Sequence, residues 1–170
     1  MQIEAAHRLL ATGIHPEVQH VVDKTLKMLK SKYPVAKKVK VVFERRNYPT
    51  FDPWDWEIKL PIFGKDQPIE VVDREEDAAD STPLQYGFEG TLIHEYGHAI
   101  NAGIIARNRK DDDALDRWQE TKHELEHKLG HPSTYSKKNN SEWFAEQFLY
   151  EIKGHGHTLL RTIDEWMHNS

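Results

Sequence analysis

The chain has 170 residues, a formal net charge of −5 and no cysteine, which suits a single domain over 1–170 with a sizeable core and excludes disulfides, thiolate metal sites and a cysteine nucleophile. No basic stripe stands out, so nucleic acid is not an expected partner. No run approaches the ~18 apolar residues of a membrane span. Met1-Gln-Ile-Glu-Ala-Ala-His-Arg8 has neither the basic head nor the apolar run of a signal peptide, so the expected setting is cytoplasmic as translated, with export by another route left open.

Taken in chain order, residues 16–32 read as an amphipathic helix. Val18, Val21, Val22, Thr25 and Leu29 form its stripe, Pro16 sits in its first turn and Pro34 follows its end. Val39-Lys-Val-Val-Phe43 reads as a strand, and 48–55, with two prolines and three aromatics, as a loop. Trp56-Glu-Ile-Lys-Leu-Pro-Ile62 alternates strictly, and Pro61, which has no N–H for a ladder, points to an edge strand or a strand end. Ile69-Glu-Val-Val72 is a candidate third strand, and 73–81 is acidic loop. Trp54 and Trp56 are expected in the core rather than in a subsite.

Four helices should follow. One starts between Pro83 and Phe88 and runs to about Ala106; a second covers 111–129, with an acidic first turn and Gly130-His-Pro132 as its stop. A third runs from about Asn140 to Lys153 and a fourth from His157 to Met167, with Gly154-His-Gly-His157 taken as the break between them. The predicted class is α+β: a helix and a small N-terminal sheet, then a mostly helical half.

The first of these four helices contains Thr91-Leu-Ile-His-Glu-Tyr-Gly-His-Ala-Ile100. His94-Glu95-Tyr-Gly-His98 is the HExxH pattern of zinc peptidases. At helical spacing both imidazoles leave one face and can hold one Zn²⁺, with Glu95 beside them to take a proton from a water that the ion activates. A chain with 11 His produces the pattern by chance in roughly one case in fifteen. Indeed His123-Glu-Leu-Glu-His127 is a second match.

Context separates the two copies. Leu92, Ile93, Tyr96, Gly97, Ala99 and Ile100 surround the first, as a helix buried under a cleft requires, whereas Lys122, Glu126 and Lys128 surround the second and mark a solvated face. Gly97, which costs about 1 kcal/mol relative to alanine inside a helix, suggests the close approach of another element.

A catalytic zinc takes a third protein ligand and keeps one position open. The class with a third His six residues after His98 is excluded, because position 104 is Ile and position 101 is Asn where that class has Gly. Asp111, Asp112, Asp113 or Asp116 would supply a carboxylate, but this run also suits a helix N-terminus. In Asn140-Ser-Glu-Trp-Phe-Ala-Glu146 two carboxylates face one way among apolar neighbours. Glu142 then reads equally as a ligand, with Glu146 bonded to the far nitrogen of a ligand His, or as a capping residue with Asn139 and an exposed Glu146. Tyr135, in the loop before this helix, is either a packing residue or a donor to an oxyanion.

Three blocks, His94-Glu-Tyr-Gly-His-Ala99, Thr134-Tyr135 and Asn140-Ser-Glu-Trp-Phe-Ala-Glu-Gln-Phe148, occur in the order and spacing of the peptidase domain of anthrax lethal factor and its relatives, which include the Pro-Pro endopeptidases. Over 88–150 the chain resembles that family. The resemblance implies a zincin-like metallopeptidase fold with one Zn²⁺ per chain bound by His94, His98 and Glu142. It further implies Glu95 as general base, Tyr135 as oxyanion stabiliser and Glu146 as a carboxylate behind the ligands. The expected activity is a zinc-dependent endopeptidase whose peptide or protein substrate binds in extended form by strand addition. The strand at 56–62 is the first choice of edge and Ile69-Glu-Val-Val72 the second. Two other readings remain: a zinc-binding interaction module whose metal is structural or whose activity is lost, and a metal-free helical binding protein.

Overall fold

The computed structural model describes residues 16–44, 48–61 and 83–168. The first helix, α1, spans Pro16–Lys32 and buries Val18, Val22, Thr25 and Leu29 of the predicted stripe, with Val21 only half-buried at its margin. Pro34 cannot continue it, and a single 3-10 turn, Pro34–Ala36, redirects the chain into β1, Lys40–Glu44. Two more strands follow: β2, Thr50–Asp52, and β3, Glu57–Pro61.

The strands form one sheet in the order β1-β3-β2. β3 runs parallel to β1, with Val41 opposite Ile58, and antiparallel to β2, with Phe51 opposite Ile58. This corrects two expectations. The loop expected at 48–55 contains a strand. β3 is central rather than the edge expected to receive the substrate, and Pro61 stands at its end opposite Glu44, the strand-end position that its missing N–H allows. The candidate strand 69–72 and loop 73–81 lie outside the described residues. The β2–β3 turn is held by Asp52, whose Oδ1 accepts from the N–H of Trp54 (2.9 Å). At the turn Trp56 has φ 54° and packs edge-on against Phe51. Trp54, expected in the core, is 91% exposed.

The helical half comprises α2, Gly87–Arg107; α3, Asp112–Leu129; α4, Asn140–Ile152; and α5, Thr158–His168. Each lies within a few residues of its expected place, and the α+β class holds. α2 is buried on nearly every side. Phe88, Leu92, Ile93, Tyr96, Ala99, Ile100 and Ile104 face the core, and α2 touches α1, β2, β3 and α4. A helix enclosed in this way has no need of a polar face. Its contact with α4 is the most extensive in the described residues, and Gly97 permits it: a Cβ there would stand 3.1 Å from Ala145 Cα and 3.3 Å from Phe148.

Local chemistry sets the other helix ends. Asp111 caps α3 by accepting from Ala114 N (3.0 Å), and Gly130, at φ 76°, ends it. Asn139 caps α4 through Glu142 N (2.8 Å). The buried Glu151 carboxylate accepts from the first N–H groups of α5, Leu159 and Leu160, each at 3.1 Å. No helix among the described residues is long and apolar enough to cross a membrane.

Lys122 differs from its expected place on a solvated face: it is only 3% exposed. Its amine donates to Asn101 Oδ1 (3.0 Å), which also accepts from Trp118 Nε1 (2.8 Å), so α3 is tied to α2 through one amide oxygen. Burial brings the Lys122 amine down to about 8 from its ordinary 10.5. The unfolded chain keeps this proton up to the higher value, so stability climbs with pH between the two. Relative to Lys122→Met, the wild type should gain about 1–3 kcal/mol from pH 7.5 to pH 10 in urea unfolding. A constant difference would place the amine in water.

Candidate metal centre

His94 and His98 project from successive turns of α2, with ring centroids 5.0 Å apart. Glu142, in the first turn of α4, meets both: its Oε1 is 3.2 Å from His94 Nε2 and 2.5 Å from His98 Nε2. The cap and the ligand readings of this residue prove compatible. Its backbone N–H satisfies Asn139 while its carboxylate turns into the cluster.

Behind His94, Nδ1 lies 2.8 Å from Glu146 Oε2. A carboxylate there accepts a hydrogen bond from Nδ1–H, so Nε2 is the nitrogen left to face the cluster and to bind an ion once its own proton is displaced. Glu146 is fully buried, not exposed. Its other oxygen accepts from Leu84 N and Ser133 Oγ, both at 2.7 Å, so three segments of chain converge on one carboxylate. His98 Nδ1 is 3.3 Å from Ser141 Oγ. Tyr135 opens a 3-10 turn, Tyr135–Lys137, and its hydroxyl donates to Glu142 Oε2.

The electrostatics follow from this packing. Burial opposes a charge on His94, but its bonds to Glu142 and Glu146 and the nearby Glu95 outweigh it and push the imidazole up to about 10. Burial also opposes the charge on Glu142, yet the two histidines hold its carboxyl well below the usual carboxylate range. A cation entering the cluster therefore competes with a proton.

The donor set suits a metal ion. One atom from each of His94, His98 and Glu142 falls within 4.8 Å of the others. In a tetrahedral site with ligands at ~2.0–2.1 Å, donor atoms lie about 3.3 Å apart. The His94–Glu142 separation of 3.2 Å matches that spacing, and the His98–Glu142 contact reaches it by a small side-chain rotation. Two imidazoles and one carboxylate are a recognised three-residue set for an ion that keeps a fourth position open.

Glu95, 1% exposed, lies between the two arms of a cleft. One arm is lined by Leu84, Tyr86, His94, Tyr135 and Leu149, the other by Thr50, Phe51, His98, Asn101 and Glu142, and Glu95 borders both. All six residues picked out in the sequence thus meet at one place. The aspartates weighed as ligands do not: Asp111 is spent as a cap, and no group formed by Asp111, Asp112, Asp113 or Asp116 has metal-holding geometry among the described residues. His123, Glu124 and His127 of the second HExxH are exposed. Ser133 escaped sequence reasoning, because a loop serine carries no periodic signal. In the sequence Asn101 argues only against another class, although it follows His98 at helical spacing.

An α+β fold whose buried helix pair presents a His-His-Glu cluster beside a cleft defines a candidate metalloprotein of the HExxH type. The family model described as anthrax toxin lethal factor, N- and C-terminal domain, matches residues 11–162, and the chain belongs to that family. The match reaches well beyond the blocks at 88–150 that carry the resemblance in sequence. No curated protein matches the chain, and no solved structure does.

Zinc binding, followed by chelator competition, should be one ion per chain. It should be lost with Glu142→Ala and weakened about 10–100-fold with Glu146→Gln. Changing His123 and His127 together to alanine should leave it unaltered. Retention of zinc by Glu142→Ala would remove that carboxylate from the ligand set.

Proposed function

We propose that the chain is a zinc-dependent endopeptidase. The observation that carries this reading is the position of Glu95, at the junction of the two cleft arms and one residue from His94, where a bound peptide would pass the metal cluster. Zinc is the ion proposed because the ligand set mixes imidazole with a carboxylate and has no oxygen-only shell. A zinc ion held by His94, His98 and Glu142 would supply Lewis acidity to a water and to the scissile carbonyl.

The protein's own groups do the rest. Glu95 takes the proton of the attacking water and passes it to the leaving amine. It lies in a buried site, where a carboxylate works with little competition from solvent. Tyr135 donates a hydrogen bond to the oxygen that becomes negative in the tetrahedral intermediate. Its hydroxyl already rests on Glu142, beside the cluster. Glu146 holds the His94 ring in one orientation and one tautomer. The substrate is an extended peptide or protein segment lying in the cleft between β2 and α2. β2 replaces β3 in this role because β3 is paired on both sides. Neither nucleic acid nor membrane is a proposed partner.

Digestion of a diverse peptide pool by the zinc-loaded protein, read by mass spectrometry, tests the reading. Cleavage is expected from the native chain. Glu95→Ala should keep its zinc and lose at least about 10²–10⁴-fold in rate, and Tyr135→Phe should lose about 10²–10³-fold in kcat with KM little changed. Zinc bound with no turnover by any form would favour the interaction module, in which the metal is structural.

A further inference from the structure

The face of α2 that carries His94 and His98 continues past the cluster. Asn101, Ala102 and Ile105 follow at helical spacing and, with Thr50, Phe51 and Pro53, line the arm of the cleft on the His98 side. Two features distinguish this arm from an ordinary surface groove.

The first is apolar exposure. Among the described residues the large apolar side chains left exposed are Trp54, at 91%, and Ile105, at 39%. Ile105 lines the arm, and Trp54 adjoins Pro53, which also lines it. Phe51, Pro53 and Ala102 extend the same apolar wall.

The second is the orientation of Asn101. Its Oδ1 accepts from Trp118 Nε1 at 2.8 Å and from Lys122 Nζ at 3.0 Å. An indole N–H can only donate, so the amide cannot flip without losing that bond and leaving a buried donor unpaired. Nδ2 makes no hydrogen bond to a described residue, and it is the edge of the amide left for the cleft. Two buried donors on α3 thus set a hydrogen-bond donor among apolar side chains, the composition typical of a ligand subsite.

We infer that this arm is a subsite for a bulky apolar residue of an extended peptide. Ile105, Ala102, Phe51 and Pro53 receive the side chain, and Asn101 Nδ2 donates to a carbonyl oxygen of the peptide backbone. This deepens the peptidase reading and rests on it for the occupant, an extended peptide in the cleft. Asn101 is a substrate-binding residue here, with Trp118 and Lys122 positioning it.

The test is a binding measurement, so that it does not depend on turnover. A degenerate peptide pool is passed over zinc-loaded Glu95→Ala protein and the retained peptides are sequenced by mass spectrometry, alongside the same protein carrying Ile105→Glu or Asn101→Asp at equal zinc content. Peptides retained by Glu95→Ala alone should be enriched in a bulky apolar residue at one position. Ile105→Glu should abolish that enrichment and replace it with Lys or Arg. Asn101→Asp keeps an acceptor for Trp118 and Lys122 but turns the cleft-facing donor into an acceptor. It should lower retention about tenfold without changing the preferred residue. Unchanged enrichment with Ile105→Glu, undiminished retention with Asn101→Asp, or no retained peptide would each overturn the subsite. Failure of the peptidase reading is distinguishable: a native chain that retains these peptides and leaves them intact supports the subsite and contradicts the catalysis.

Discussion

The hydrogen bond between His94 Nδ1 and Glu146 Oε2, 2.8 Å long, joins α2 to α4 where both helices are most deeply buried. A carboxylate and an imidazole in an apolar seam are costly unless each polar atom is partnered. The chain meets that demand from several directions. Leu84 N comes from the segment before α2 and Ser133 Oγ from the loop before α4, and both donate to the same carboxylate. Glu142 and Tyr135 then close the front of the cluster. None of this is possible unless the helices lie nearly backbone to backbone, and the missing side chain at Gly97 against Ala145 allows it. The loops that border the cleft are positioned by the same polar seam that orients His94 and Glu142.

Much of this was legible in the sequence, for identifiable reasons. α1 and the four later helices show in apolar periodicity and in their caps and stops, which are local signals. The first HExxH is distinguishable from the second by its uncharged neighbours, and burial bears this out: Glu95 is enclosed while His123 and His127 are exposed. Glu142 was poised between cap and ligand because backbone and side chain of one residue serve different partners, a distinction that composition cannot express. The resemblance to the lethal factor family favours the ligand, and Glu142 stands with His94 and His98 in a group that could hold a metal ion.

What stayed hidden depends on non-local pairing. β2 is three residues long, too short for alternation to register, and sits among prolines that read as loop. The centre of a sheet cannot be told from its edge in one strand's pattern, so 56–62 reads as the substrate-binding edge although β3 is central, while Pro61 correctly marks the end of that strand. Lys122 looked solvated because its burial is made possible by Asn101 and Trp118, one of them on another helix. Trp54 looked like core by residue type, but Asp52 fixes a turn that holds it outward. In each case a contact with a distant residue, or the geometry of a turn, overrode the local preference.

X-ray absorption at the zinc edge of the loaded protein is the most direct check on the centre. Two imidazole nitrogens and a carboxylate oxygen within about 2.0–2.2 Å, with one further light atom, are predicted, and the carboxylate contribution should vanish in Glu142→Ala. A first shell made only of imidazoles, or one indifferent to Glu142, would place the metal elsewhere and contradict the centre built between α2 and α4.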